Sequence, residues 1–465
     1  SSAASDVYKR QGIAKCNYLL QNMSRGEDNV APATYAQIKA EAQFLRALYY
    51  SYLIELYGDV PLITDVLTLE TGQQPRTPKS EVVDFILKEY TEAAENLPST
   101  NNPTSGRATK GAALALKART ALYNERWQDA ISASQAVIAM EGTEYIIEDD
   151  YSKLFKYEGQ TSKEVIFSVQ YLLGTKVHAL YRLFGSRNAL AHTNKKPAYQ
   201  LADTWECIDG KQIDKSPMFD PKHPYENRDP RLGYTLAVSG SEFLGFQFET
   251  HGDSTKCWNY MTNQRVDNLE ATHAYATFTG ICWRKYANIE DKDALNDCDM
   301  NTILIRYPEV LLTYAEAKIK AGEIDASVLE AINKVRQRPS VKMPPITTTD
   351  PNELFYAVAR ERKYEFSGEG LRLFDIRRWK IAETVMNQPL LGRMKKSYPD
   401  KAPRIDEWGT AFYEGIPIAE SGESADFKMR VVDIRKFDKN RDYLWPIPYI
   451  ERQTNPNLTQ NPNYE

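Results

Sequence analysis

The chain has 465 residues, 42% of them hydrophobic and 26% charged, with a formal net charge of −5. That length allows a sizeable core, and the acidic balance excludes the basic footprint of a general nucleic-acid binder. No run approaches the roughly 18 apolar residues of a membrane-spanning helix, and the opening SSAASDVYKRQ is too polar for a secretory leader.

Taken in chain order, the first helical pattern is IAKCNYLL over residues 13–20. Cys16 lies inside it, so it is not placed to carry a lipid behind a leader. Residues 41–62, EAQFLRALYYSYLIELYGDVPL, hold the strongest signal. Phe44, Leu48, Tyr52 and Leu56 recur every four residues, with Leu45, Tyr49 and Leu53 beside them. The stripe is too wide for a surface helix, so this helix belongs inside a multi-helix scaffold. Gly58 supplies a residue tolerant of positive φ at its end, and Pro61 blocks resumption. Residues 77–97 predict a helix that starts at Pro78 and Ser80 and buries Val82, Phe85, Ile86 and Tyr90. After the turn-rich PSTNNPTSGR, residues 111–140 predict two helices joined near 124–127. The small Ala130 and Ala133 before Val137 give them the character of a tetratricopeptide pair. A second pair is predicted over 307–338, broken at Gly322, and the opening helix with 77–97 makes another. Such pairs stack into solenoids that present a surface, an architecture of binding more than of catalysis.

The middle, about 141–300, reads differently. Short strand-like runs (EVIFSVQY, LGYTLAV, GICWRKYA) stand between long polar loops, and a further irregular stretch covers about 385–445. Long loops in a compact protein are usually functional. The expected architecture is therefore mainly α: a helical scaffold carrying a loop-rich face. The five cysteines are odd in number, widely spaced and without C-x-x-C, so they form neither a zinc nor a disulfide framework.

No catalytic pattern is present: no G-x-S-x-G, H-E-x-x-H, phosphate-binding loop or dinucleotide fingerprint. No cofactor or metal is expected. The acidic run from Glu290 to Asp299 lacks the glycine and distal Glu of an EF-hand and reads as a solvated loop. In ARERKYEFSGEGLRLFDIRRWK (359–380), Glu361, Glu365, Glu369 and Asp375 interleave with arginines, a pattern that suits intramolecular ion pairs better than nucleic acid. The best ligand candidates lie in residues 245–265, where His251, Trp258, Asn259 and Tyr260 stand in a polar, loop-like context. An exposed aromatic there can stack on a pyranose face, with Asn and Arg supplying directed hydrogen bonds. Trp283 is read first as a strand residue packed in the core and second as a ligand contact.

Residues 41–62 resemble the most recognisable segment of the SusD/RagB family, and further segments agree in order. They are IAKCNYLL, GAALALKARTALYNERWQDAI, PAYQLADTWECIDGKQID, NRDPRLGYTL, TGICWRKYAN, IRYPEVLLTYAEAKIKAG, INKVRQR, ERKYEFSGEGLRLFDIRRW and the tail YLWPIPYIERQTNPNLTQNPNYE. The resemblance implies one SusD-like domain over 1–465. Its helical scaffold would cover about 13–140 and 300–385, its variable ligand face about 141–300 and 385–445, and its wrapping tail 443–465. It also implies a lipid-tethered protein on the extracellular face of the outer membrane. Such a protein caps a SusC-like TonB-dependent transporter and passes it oligosaccharide or, in the RagB branch, peptide, without catalysis. Glycan stands ahead of peptide; a pure interaction scaffold is the next alternative, and a glycoside hydrolase the least favoured. Only about a dozen residues precede IAKCNYLL, and none is a lipidation cysteine. The anchor is thus expected from kinship alone, and part of the first helical layer is expected to be missing.

Overall fold

The wide stripe of residues 41–57 forms the second half of a helix, α2 (Pro32–Tyr57), whose buried side chains point in several directions. It belongs to a computed structural model describing residues 2–68, 70–420 and 427–464. Helix α1 (Ser2–Asn22) lies on one side of α2 and α3 (Lys79–Asn96) on another. Then α4 (Lys110–Tyr123) packs on α3 and α5 (Trp127–Ile138) on α4. Buried alanines (Ala112, Ala115 and Ala118 on α4, Ala130 and Ala133 on α5) let the backbones approach closely. The chain returns to this stack 170 residues later. Helix α6 (Tyr307–Ala321) packs on α5 and is followed beyond Gly322 by α7 (Ala326–Arg336) and then α8 (Pro351–Phe366) and α9 (Arg372–Arg378). Caps fix the entries: the Thr109 side chain accepts from Ala112 N at 3.2 Å, and the Asp350 carboxylate from Asn352 N and Glu353 N at 3.0 and 2.9 Å. The fold is mainly α, as the periodicity predicted, with only small sheets.

The stop after α2 is enforced twice. Gly58 takes φ +74°, and a Cβ there would meet Leu444 at 2.9 Å. The chain's tail lies across this end: Trp445 N donates to Leu56 O at 2.7 Å, and the Asn461 amide donates to Tyr57 O at 2.9 Å.

The middle of the chain is more regular than its sequence suggests. EVIFSVQY does form a strand, β1 (Val165–Val169), antiparallel to a late strand, Thr302–Arg306. LGYTLAV is mostly not a strand. Arg231–Thr235 is a helical turn, begun by Pro230 and by the Asp229 carboxylate accepting from Arg231 N at 2.9 Å, and only Leu236–Ala237 pairs, with Cys282–Trp283. Short strands also interrupt the loops of residues 245–265. They belong to a four-stranded antiparallel sheet of β2 (Glu242–Phe243), β3 (Phe246–Gln247), β4 (Lys256–Asn259) and β5 (Gln264–Asp267). Strands of two to four residues are too short for alternation to register as a pattern.

What ties this middle to the scaffold is charge. Glu361 and Glu365 share one face of α8, and with Glu369 they meet arginines from elsewhere. Arg306 reaches Glu164 at 2.8 Å, Glu365 at 2.5 Å and Glu369 at 2.8 Å. Arg231 reaches Asp229, Glu361 and Glu365; Arg336 reaches Glu206 and Glu361; Arg338 reaches Glu164 and Glu365; Lys285 reaches Glu369. Tyr151 lies beneath, its ring facing Arg306, Arg338 and Lys285 and its hydroxyl donating to Glu365 O at 2.6 Å. Burial pushes the Glu164 carboxyl up against the pull of Arg338 and Arg306. For Glu365 and Glu369 burial is overcome by their cations, which hold both below the usual carboxylate range.

Removing one partner leaves buried charge unpaired, so Glu365→Ala should cost about 3–5 kcal/mol, read as a lower urea midpoint. Because the carboxyls of Glu365 and Glu369 are depressed, their contribution is complete above the unfolded value of 4.5 and is lost as pH falls below it. Urea midpoints measured on the acid side should therefore fall more steeply for the wild type than for Glu365→Gln.

Candidate functional site

The outward face of the small sheet presents the aromatic group. Along β4, Cys257 and Asn259 are buried while Lys256 is exposed and Trp258 half-exposed. Register places Trp258 opposite Arg265 and Lys256 opposite Asp267, with the latter pair in contact at 2.6 Å. Opposed residues of an antiparallel pair share a face, so Trp258, Arg265, Lys256 and Asp267 stand together on the outside. Trp258 packs against none of the buried apolar clusters, and among the described residues no ring or cation stacks on it. Arg265 is exposed and has no hydrogen-bond or ion-pair partner among the described residues. The indole's backbone N–H donates to Gln247 Oε1 at 3.3 Å, which brings the Gln247 amide to the same strand.

The turn beyond β4 explains the neighbours. Asn259 is buried, and its Oδ1 accepts from Met261 N and Thr262 N at 3.0 and 3.2 Å, folding the connection to β5. Tyr260 projects from that turn, 45% exposed, anchored by its backbone N–H to Gly245 O at 2.9 Å. His251 lies on the β3–β4 connection, where its Nδ1 accepts from Asp253 N at 3.3 Å, and the next residue, Gly252, donates to Lys395 O at 2.8 Å. That connection is thus laid against the 395–396 loop, where Lys396 meets Asp253 at 2.6 Å.

Trp283 is elsewhere. It lines a cavity of about 440 Å³ between α8, α9, the turn at 196–204 and a strand, Leu390–Arg393. No residue of 245–265 lines that cavity. Its indole lies against Gly368, which takes φ +85° and where a Cβ would meet the ring at 3.2 Å. Of the five aromatic and polar candidates, the structure therefore gathers Trp258, Asn259 and Tyr260, sets His251 on the adjoining loop, and separates Trp283. Gln247 lies in the same window as Trp258 and was missed because nothing in the spacing marks it; the cavity's basic wall joins Arg362, Lys363 and Arg372 of one segment to Lys196 and Arg435 from distant ones, a meeting that spacing does not show. Among the described residues, no three His, Cys, Asp or Glu side chains converge as a metal shell would.

A family model described as the SusD family matches residues 163–464, and one described as starch-binding associating with outer membrane matches residues 5–122. The chain belongs to the SusD family. SusD-like protein P2 of Formosa agariphila is 26% identical over 451 residues, 92% of this chain and 74% of that one. A crystal structure of a SusD-like carbohydrate binding protein from Bacteroides fragilis is 30% identical, with a TM-score of 0.79 over 96% of this chain and 84% of that one. A laminarin binding SusD-like protein shares the fold at a TM-score of 0.66, with 20% identity and coverage of 98% and 84%. In this SusD-family chain, Gly58 and Gly368 take positive φ where a Cβ would press on Leu444 and Trp283.

Gly368→Ala should accordingly cost about 1–3 kcal/mol through its positive φ and displace Trp283. A lowered unfolding midpoint with a shifted tryptophan emission checks it; unchanged values would mean the ring yields freely.

Proposed function

We propose that this SusD-family protein binds glycan at the cell surface and delivers it to a SusC-like TonB-dependent transporter, catalysing no reaction itself. The observation that carries this reading is Trp258: a half-buried indole on an outward strand face, opposite an Arg265 with no ion-pair partner and outside the buried apolar clusters among the described residues. An indole offers a flat apolar face to the C–H side of a sugar ring, while a guanidinium donates to ring hydroxyls. Tyr260 extends the platform. Asn259 and His251 shape the turn and loop on which it stands. The Bacteroides fragilis relative is a carbohydrate binding protein by its description, and the family description places such chains in association with the outer membrane. We place this chain on the extracellular face, held by an N-terminal lipid, with the stacked helix pairs turned to the transporter and the sheet turned to ligand.

Titration against a panel of polysaccharides and peptides tests the reading, and silence across both would sink it. Trp258→Ala should weaken binding of the recognised glycan about fivefold to tenfold, the worth of one aromatic stack, and leave the thermal midpoint unchanged. Wild-type affinity in that variant would remove Trp258 from the site, and release of reducing ends by the pure protein would make it a hydrolase.

A further inference from the structure

The cavity beside Trp283 differs from the sheet in that its wall is basic. Lys196, Arg362, Lys363, Arg372 and Arg435 line it, with Asp375 as the sole acid among the described lining residues. Asp375 is already committed, receiving Arg362 at 3.1 Å and Arg378 at 2.8 Å. The other four cations have no carboxylate within ion-pair distance among the described residues. Lys363 donates to Gly409 O at 2.5 Å, Arg435 to Val385 O at 3.1 Å, and Lys196 lies over the Phe278 ring at 4.5 Å. Arg372 has no polar partner among the described residues.

Unused donors accompany the unbalanced charge. Arg362 is 1% exposed, yet its Nη1 has no hydrogen-bond partner, and Arg435 Nε and Thr410 Oγ1 are likewise buried and unpartnered. A folded protein pairs nearly all such groups, and like charges gathered in a partly enclosed space repel one another. Burial lowers the Arg372 guanidinium to about 10 against the pull of Asp375 and Asp406, and burial together with the Arg372 charge lowers the Lys363 amine well below its usual range against the pull of Asp406. An anion beside Lys363 and Arg372 offsets that cost. Trp283, Phe366, Leu371 and Leu390 give the wall an apolar side, set among neutral polar groups such as Gln200 and Ser367, and Gln388 brings an amide with no partner among the described residues. A bare inorganic ion needs no apolar wall, whereas a sugar ring does.

We propose that this cavity holds an oxyanion carried on a sugar, a carboxylate or sulfate ester facing the arginines with the ring against Trp283. The oxyanion stands on the cavity alone; the sugar rests on the glycan-binding reading above.

Calorimetric titration of the full chain with glucuronate, sulfated glucose, glucose and inorganic sulfate, at low and at high salt, tests it. Glucuronate or sulfated glucose should bind at least about tenfold more tightly than glucose, and more weakly as salt rises. Arg372→Gln should reduce that binding about tenfold with an unchanged thermal midpoint, and Arg372→Lys should recover part of it. Should Arg372→Gln not fold, Arg435→Gln takes its place. Glucose binding as well as glucuronate, or affinity indifferent to these variants, overturns the proposal. Inorganic sulfate binding as tightly as sulfated glucose overturns the sugar. Acidic sugars retained while every polysaccharide and peptide fails would sink the sheet reading and support this one.

Discussion

The interaction on which the structure depends is the buried ion network around Glu365 and Arg306. Its members come from both halves of the architecture. Glu164, Glu206, Asp229, Arg231 and Lys285 belong to the irregular middle, and Arg306, Arg336, Arg338, Glu361, Glu365 and Glu369 to the returning scaffold. The strands and turns of the middle bury apolar clusters of their own, one of which includes Tyr364 of α8, yet apolar contact tolerates small shifts. A buried charge, by contrast, tolerates almost no displacement, because losing its partner exposes the whole desolvation cost. The network therefore specifies where the middle docks, while the apolar stack of helices supplies the bulk of the burial.

This division of labour explains why the outward groups without partners among the described residues collect where they do. The sheet carrying Trp258 lies outside the network, so its outward face has no structural partner to satisfy and stays available. The Trp283 cavity lies between α8 and α9. There the same basic, aromatic segment that builds the network leaves some cations without carboxylates. Arg362 and Arg378 share Asp375; Lys363 and Arg372, on the same segment, do not. One stretch of sequence thus stabilises with its inward charges and is left unbalanced with its outward ones.

Its interior pairing was legible in the alternation of Glu361 and Glu365 with arginines, since spacing of four on α8 puts them on one face, while Glu369 lies beyond the helix end. The surplus of bases was countable, four acids against seven bases over residues 359–380, but which cations it leaves without a carboxylate was not, because only burial decides which of them meet. The helix pairs were legible for a similar reason: the stripe of residues 41–57, the small residues of α4 and α5 and the break at Gly322 are local signals repeated over many residues. The sheet was not legible. With Trp258 on a four-residue strand, its outward direction depends on a register with Arg265 that hydrogen bonds set and hydrophobic pattern does not.

By itself, the sequence determined a mainly helical scaffold, its stops at Gly58 and Gly322, and the ion-pairing character of residues 359–380. These are properties of periods and neighbours, and local chain geometry is enough to express them. Only the tertiary structure decided that Trp258 faces outward beside Arg265, that Asn259 serves the turn, that Trp283 lies apart against Gly368, and that four cations around one cavity have no carboxylate partner among the described residues. Those are meetings of residues up to some 240 positions apart, and long-range contact, burial and the charge left over after pairing exist only once the chain has closed on itself.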